Sequence, residues 1–497
     1  MIRFTEDNLW VPRMVKRVYL VTGGMSQYMR SSATKLTEEF CIEAFRMAAL
    51  RLGMTPAELK EFIHTCYYGH FADHFGRQLL GEALIHDRLG LDPLGNCGVK
   101  AGGSTGGATI WEAFKTVASG YSRCVLAMGW ENMGTCPTDE GNNLIAQAAD
   151  INWETELGHL YGNYYALMAA RYWKVFGREE ESFRRVMAKI AARNHTYAYY
   201  NPFAQDGRKL TLEDVLASPI VAYPLRQLDC CLMSVGASCV ILADEETAYE
   251  MVKKHPDCKM TPLLIDVAAG SHTLRAADRR DMEIPLLPHE EEQDIFQECF
   301  PDIEIPLLPT ENFNLYKDLG QRFPGADRYP GFTGFLAARM AAYYLYRMMG
   351  VTNPRNDFQL FEDHDAFTIS SIQTYEDAGF APYGYGRTYI ESGDAFFGGR
   401  CPNNISGGLM GLGHPVGSTG IGQVVECMLH LNGIHGQVHG DPDLWRSFGK
   451  EKPADWEDLQ VPNCYRTLAV SHAGVGSHVV FTGLQHPEHV LEGRVGA

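Results

Sequence analysis

The tetrapeptide Gly-Ser-Thr-Gly occurs twice, at Gly103–Gly106 and Gly417–Gly420, and each copy runs into an apolar stretch with helical spacing. The first continues through Ala108, Ile110, Trp111, Ala113, Phe114 and Val117, the second through Ile421, Val424, Val425, Cys427 and Met428. Upstream, each copy follows another helix-then-strand unit: Cys41–Leu52 with Phe62–Tyr68 in the first half, Ala337–Met349 with Phe358–Phe361 in the second. In a chain of 497 residues with 50 glycines a repeated tetrapeptide alone means little. Two co-linear units in the same order imply an internal duplication. Helix alternating with strand gives an α/β fold, a sheet covered by helices.

The rest of the first half fits this pattern. Val18–Thr22 reads as a strand, Thr37–Leu52 as the helix after it, and Cys124–Gly129 as a strand buried on both faces. From about Trp130 to Leu225 the alternation stops, and a polar, aromatic-rich region with helices at Tyr164–Phe176 and Glu181–Thr196 intervenes before a strand at Ala237–Ala243. The expected organisation is an N-terminal half over 14–274 that includes an inserted loop region at about 130–225. A Pro-rich, acidic insertion follows at 275–330, then a C-terminal half over 331–497 interrupted at about 435–459. The insertion holds Glu-Ile-Pro-Leu-Leu-Pro twice, at Glu283–Pro288 and Glu304–Pro309, and prolines at that density exclude regular helix or central strand. The closing strands are expected at Thr467–Val470 and His478–Thr482.

Composition narrows the function. A formal net charge of −18 argues against nucleic acid or an anionic membrane surface as partner, since both need clustered positive charge. Thirteen scattered cysteines without a paired framework, and no apolar leader or membrane-length segment, point to a reduced cytoplasmic protein. Among metal candidates, His64, Cys66, His70 and His74 stand close together, with His70 and His74 at helical i,i+4 spacing. No matching pair elsewhere closes a coordination sphere, so no metal is expected. The loop at Gly102–Gly107 lacks the lysine of a phosphate-binding loop.

Three histidines stand at expected strand ends or glycine turns, where α/β sheets place their ligands. His414 lies in Gly411–Gly420, ahead of a helix N-terminus that favours developing negative charge. His364 follows the second-half strand with Asp365 beside it, and His472 lies in the turn Ser471–Gly476. Gly413, Gly417 and Gly474 supply backbone amides suited to an oxyanion.

These motifs together resemble the thiolase superfamily, and most the sterol-carrier-protein-x type thiolases and their archaeal relatives. The residues that carry the likeness are Val18–Tyr28, Arg193–His195 with Asn201–Ala204, His364–Phe367, Gly413–Pro415 and Ser471–Gly476. The resemblance implies a duplicated five-layer α/β/α/β/α fold with an inserted loop domain. It implies a coenzyme A thioester as substrate with no permanently bound cofactor, and a homodimer whose first-half strands pair across a two-fold near Cys124–Gly129. The departures are equally informative. Counting back from Cys124, the position of the family nucleophile is Gly103; the second family thiol position is Ala366, and a third is His472. Ser104 or Cys97 could substitute as nucleophile, although serine needs an adjacent base. Without a thiol, His364, His414 and amides could stabilise an enolate while His472 accepts a proton, a kit suited to aldol or retro-aldol chemistry on a β-hydroxyacyl-CoA. Thiolase-like aldolases of that kind usually have a small partner with an OB-fold and a zinc ribbon. A thiolase-type acyltransferase with a displaced nucleophile, and a non-catalytic acyl-CoA-binding subunit, are the other readings.

Overall fold

A computed structural model describes residues 11–12, 14–176, 179–276, 279, 285–301 and 332–494. The second Glu-Ile-Pro-Leu-Leu-Pro copy and most of the 275–330 insertion lie outside the described residues. Among the described residues nine strands form one sheet: β1 (Val18–Met25), β2 (Thr65–Gly69), β3 (Gly95–Val99), β4 (Cys124–Asn132), β5 (Val235–Asp244), β6 (Leu263–Ser271), β7 (Leu360–Glu362), β8 (Arg466–Ala473) and β9 (His478–Gln485). Their order is β3-β2-β4-β5-β1-β6-β9-β8-β7. Read outward from the β1/β6 seam, the two halves repeat one sequence of equivalents: first strand, last, next to last, second. The duplication seen in the sequence is thus a duplication of topology.

The seam itself is slight, with Tyr19 opposite Leu264 and Leu20 opposite Leu263. Helices hold the halves together. Helix α1 (Thr37–Arg51) covers the outer face of β1 and β5, and α5 (Leu336–Met349) covers β6 and β9. Between the half-sheets run α2 (Thr105–Ala118) and α6 (Val416–Leu431), each touching strands of both halves and each other. The result is five layers, helix, sheet, helix, sheet, helix. A helix with a sheet on each side needs apolar or small residues all round, and every residue of α6 is buried.

The repeated glycines explain how two central helices fit in that space. A Cβ on Gly106 would stand 2.8 Å from the Gly420 nitrogen, and one on Gly420 would stand 2.7 Å from the Gly107 nitrogen. The two Gly-Ser-Thr-Gly copies therefore meet backbone to backbone at the pseudo-two-fold, an approach that any side chain would prevent.

Between β4 and β5 the chain runs through α3 (Tyr161–Val175), α4 (Glu180–Tyr199), a short helix at Leu212–Ala217 and a small hairpin, Ile220–Ala222 with Leu225–Arg226. Two expectations are corrected. Cys124–Gly129 offers no free edge for pairing across a two-fold, because β4 is bonded to β2 on one side and β5 on the other. The open edge of the first half is β3, exposed along most of its length and too rich in Gly and Asn to read as a strand. His70 and His74 do not share a helix: His70 follows β2 and bonds Asp73 through Nε2 at 2.8 Å, while His74 lies in the one-turn helix Asp73–Gly76. Among the described residues, no helix is long and apolar enough to cross a membrane.

Candidate active site

Strand ends and one helix start bring three histidines together. His364 follows β7 by two residues, His472 is the penultimate residue of β8, and His414 precedes α6. The His364 ring centroid lies 4.3 Å from that of His472 and 5.0 Å from that of His414. All three are buried. Gly413 turns the chain into the site with φ +118°, a left-handed conformation that favours glycine. The His414 backbone N–H then donates to Ser234 Oγ at 2.8 Å, fixing the ring's origin against the start of β5.

Hydrogen bonds define which atoms are available. Thr419 Oγ1 donates its single proton to the Pro415 carbonyl at 3.1 Å, so it accepts from His414 Nδ1 at 2.7 Å. In the neutral ring the lone pair of His414 is therefore on Nε2. His472 Nε2 lies 2.8 Å from the Tyr165 hydroxyl, contributed by α3. That pair holds two polar protons and uses one in the bond between them, so one donor remains in either tautomer. His364 Nδ1 is buried without a hydrogen-bond partner among the described residues.

Burial keeps these imidazoles neutral. It lowers His414 to about 3 and, with His414 and Arg279 adding repulsion, His472 to about 3. His364 is pushed well below its ordinary value by burial and then by its two histidine neighbours. Burial drives the Tyr165 phenol well above its ordinary range, so it keeps its proton. The buried Arg279 guanidinium, which donates to the Gly474 carbonyl at 3.1 Å, is the positive charge felt by both His472 and Tyr165.

Of the other predicted positions, some adjoin this centre and others lie away from it. Gly103 is packed against β8, where a side-chain carbon would overlap the His472 carbonyl oxygen, so the structure puts it beside the cluster with no room for a side chain. Ser104 is fully buried, and its hydroxyl is bonded to the Ala101 carbonyl at 2.8 Å and to His478 Nδ1 at 2.7 Å. Cys97 sits on the exposed edge strand, outside the cluster. Asp365 accepts from Asn194 Nδ2 and from the Leu409 N–H, both at 2.7 Å, and anchors the His364 loop. Burial and then Asp363 raise its carboxyl to about 7. Gly417 packs α6 against β4 next to the Trp130 carbonyl, and Gly474 makes the turn from β8 to β9 with φ +55°.

Sequence reasoning missed Tyr165, Thr419, Ser234, Arg279 and Cys231. Tyr165 sits in an aromatic-rich helix where nothing in spacing marks one ring over another. Cys231 is joined to the His364 loop by its N–H to the Ala366 carbonyl at 2.9 Å. Burial, then Asp365, push its thiol up to about 12, which removes the thiolate needed for attack near neutral pH.

A family model of thiolase C-terminal domain-like sequences matches residues 326–441. An acetyl-CoA acetyltransferase of Methanothermobacter thermautotrophicus is 32% identical over 364 residues, covering 72% of this chain and 78% of that protein. Human sterol carrier protein 2 is 26% identical over 447 residues, covering 86% of this chain and 68% of that one. Among solved structures, an aldolase of Ltp2 and ChsH2 (DUF35) aligns with a TM-score of 0.66 at 19% identity, over 95% of this chain and 99% of that one. At that identity the likeness is one of fold.

Proposed function

The chain belongs to the thiolase superfamily, on its sterol-carrier-protein-x branch, and from that premise we propose that it makes or breaks a carbon–carbon bond beside a coenzyme A thioester without an acyl-enzyme. The observation that supports this reading is the site's content: three buried imidazoles and a phenol gather beside Gly103, which packs on the His472 carbonyl and which the resemblance puts at the family nucleophile's position.

In the retro-aldol direction on a β-hydroxyacyl-CoA, the lone pair on His414 Nε2 takes the proton of the β-hydroxyl. The Cα–Cβ bond breaks, a carbonyl product leaves, and the electron pair passes into the thioester as an enolate. The spare donor of the Tyr165–His472 pair, an N–H of His364 and the nearby Arg279 charge stabilise the enolate oxygen. The proton held by His414 then returns to the enolate carbon, giving the shorter acyl-CoA. This proposal exchanges the roles expected from sequence, where His472 was the base and His414 an oxyanion group. The buried site lets weak donors act strongly, since no water competes for the developing charge. A homodimer formed along the free β3 edge, and a small OB-fold and zinc-ribbon partner, belong to the same reading; the neighbouring aldolase is itself named as a two-component assembly.

The competing reaction is acyl transfer from a displaced nucleophile. Incubation with a β-hydroxyacyl-CoA, followed by quench and mass analysis, separates them. The aldolase reading expects a released aldehyde or ketone, a shortened acyl-CoA and unchanged protein mass. An acyl adduct on any serine or cysteine rejects it.

A further inference from the structure

The C-terminal end of α6 and the insertion after it build a second cluster that the reaction does not use. Glu426 lies on α6, and His435 and His439 are one turn apart on the short helix His435–His439. Glu426 is fully buried, and the two histidines are 1% and 2% exposed. Glu426 Oε2 lies 3.2 Å from His439 Nε2 and 3.8 Å from His435 Nε2. Glu426 Oε2, His439 Nε2 and both ring nitrogens of His435 nevertheless lack a hydrogen-bond partner among the described residues. Several orphaned polar atoms converging on one point inside a protein are costly unless something there satisfies them.

We propose that Glu426, His435 and His439 bind a divalent transition-metal ion, Zn2+ first, which pins the end of α6 to the 435–459 insertion. Two imidazoles and a carboxylate are a zinc donor set, with water completing four-coordination. The ligand atoms all lie within 4.8 Å of one another. Tetrahedral bonds of roughly 2.0–2.1 Å place ligand atoms about 3.3 Å apart, close to the two separations given above. The surroundings hold the set in position. Asn201 Nδ2 donates to Glu426 Oε1 at 3.1 Å, leaving Oε2 for the ion. His430 is not a ligand, because its Nδ1 accepts the Val461 N–H at 3.1 Å and its proton is therefore on Nε2. Its ring instead stacks on His435, centroids 3.9 Å apart, and walls the site. The ion would lie about two turns along α6 from Thr419, some 10 Å away, so its role is architectural and the proposal stands apart from the reaction assigned above.

The test uses the full, untagged chain prepared from zinc-supplemented cells. Elemental analysis after exhaustive dialysis is expected to find about one zinc per chain, and Glu426→Gln and His439→Asn should each lower this at least about fivefold. After stripping with a strong chelator, Co2+ added to the wild-type chain should give the visible bands of a four-coordinate ion with nitrogen and oxygen ligands, saturating near one equivalent. Wild-type protein that holds no stoichiometric zinc and gives no saturable Co2+ spectrum overturns the proposal without recourse to any variant. Cobalt–thiolate bands, or variants that retain the metal, also overturn it, since they place the ion on cysteines elsewhere.

Discussion

At the scale of residues, the centre is a set of neutral groups whose protonation is fixed by burial. Replacing His414 with alanine removes the proposed base and should cut kcat by about 10²–10⁴-fold, with the circular dichroism spectrum unchanged. Tyr165→Phe keeps the ring stacked on Phe367, centroids 4.4 Å apart, and removes only the hydroxyl. It should cost less, about tenfold in kcat, if one donor of several to the oxyanion is lost. A pH profile gives an independent check. Because His414 and His472 have values near 3 in the folded chain, kcat/KM should show no histidine ionisation near 6.5, and a clear inflection there would contradict neutral, buried imidazoles. The three histidines were legible in the sequence because His414 and His472 stand beside glycine turns and His364 closes the second-half strand. The proposed division of labour was not, because it turns on side-chain bonds that spacing does not reveal, Thr419 with His414 five residues before it and the Tyr165 hydroxyl with His472 of a distant element.

At the scale of elements, the two central helices and the strands they touch decide both fold and site. The Gly-Ser-Thr-Gly repeat was readable as a duplication, but its physical reason, the approach of Gly106 and Gly420 across the molecule, is a tertiary fact. A methyl at Gly106 meets only backbone, and one at Gly420 meets the Gly107 nitrogen and, equally close, the Ser471 hydroxyl. Gly420→Ala should therefore lower unfolding stability by about 1–3 kcal/mol, as overpacked cores do. The urea midpoint measures this, and an unchanged midpoint would mean that α2 and α6 can part freely. The edge strand β3 was missed for a related reason: Gly95, Asn96 and Gly98 have weak strand propensity, and only pairing with β2 makes them a strand. The Glu426 cluster was not legible either, although its Glu-x3-His-x4-His-x3-His spacing is present in the sequence, because its members meet only when the helix His435–His439 folds back on α6.

At the scale of the whole molecule, burial on both sides of the central layer makes stability depend on pH from two directions. Histidines whose folded values are depressed, including His414, His472 and His272 at about 3, 3 and 4, take up protons in the unfolded chain first. Their contribution is complete above about 6.5 and is lost as pH falls toward 3–4. Buried carboxyls act in the opposite sense. Glu131, Glu362 and Glu376 are raised to about 8, chiefly by burial, so theirs is complete below about 4.5 and fades as pH rises through 8. Denaturation midpoints across pH 4–9 should therefore peak between these limits, and a midpoint that rises steadily toward pH 4 would contradict the assignment of neutral histidines.

The contact between Gly103 and the β8 carbonyl carries an evolutionary consequence. A single codon change to cysteine would not simply install a thiol there, because the incoming atoms displace the very strand that presents the His472 imidazole. On the proposed reading, descendants of this chain could place a sulfur nucleophile there only after the neighbouring backbone had first retreated, so the glycine acts as a ratchet.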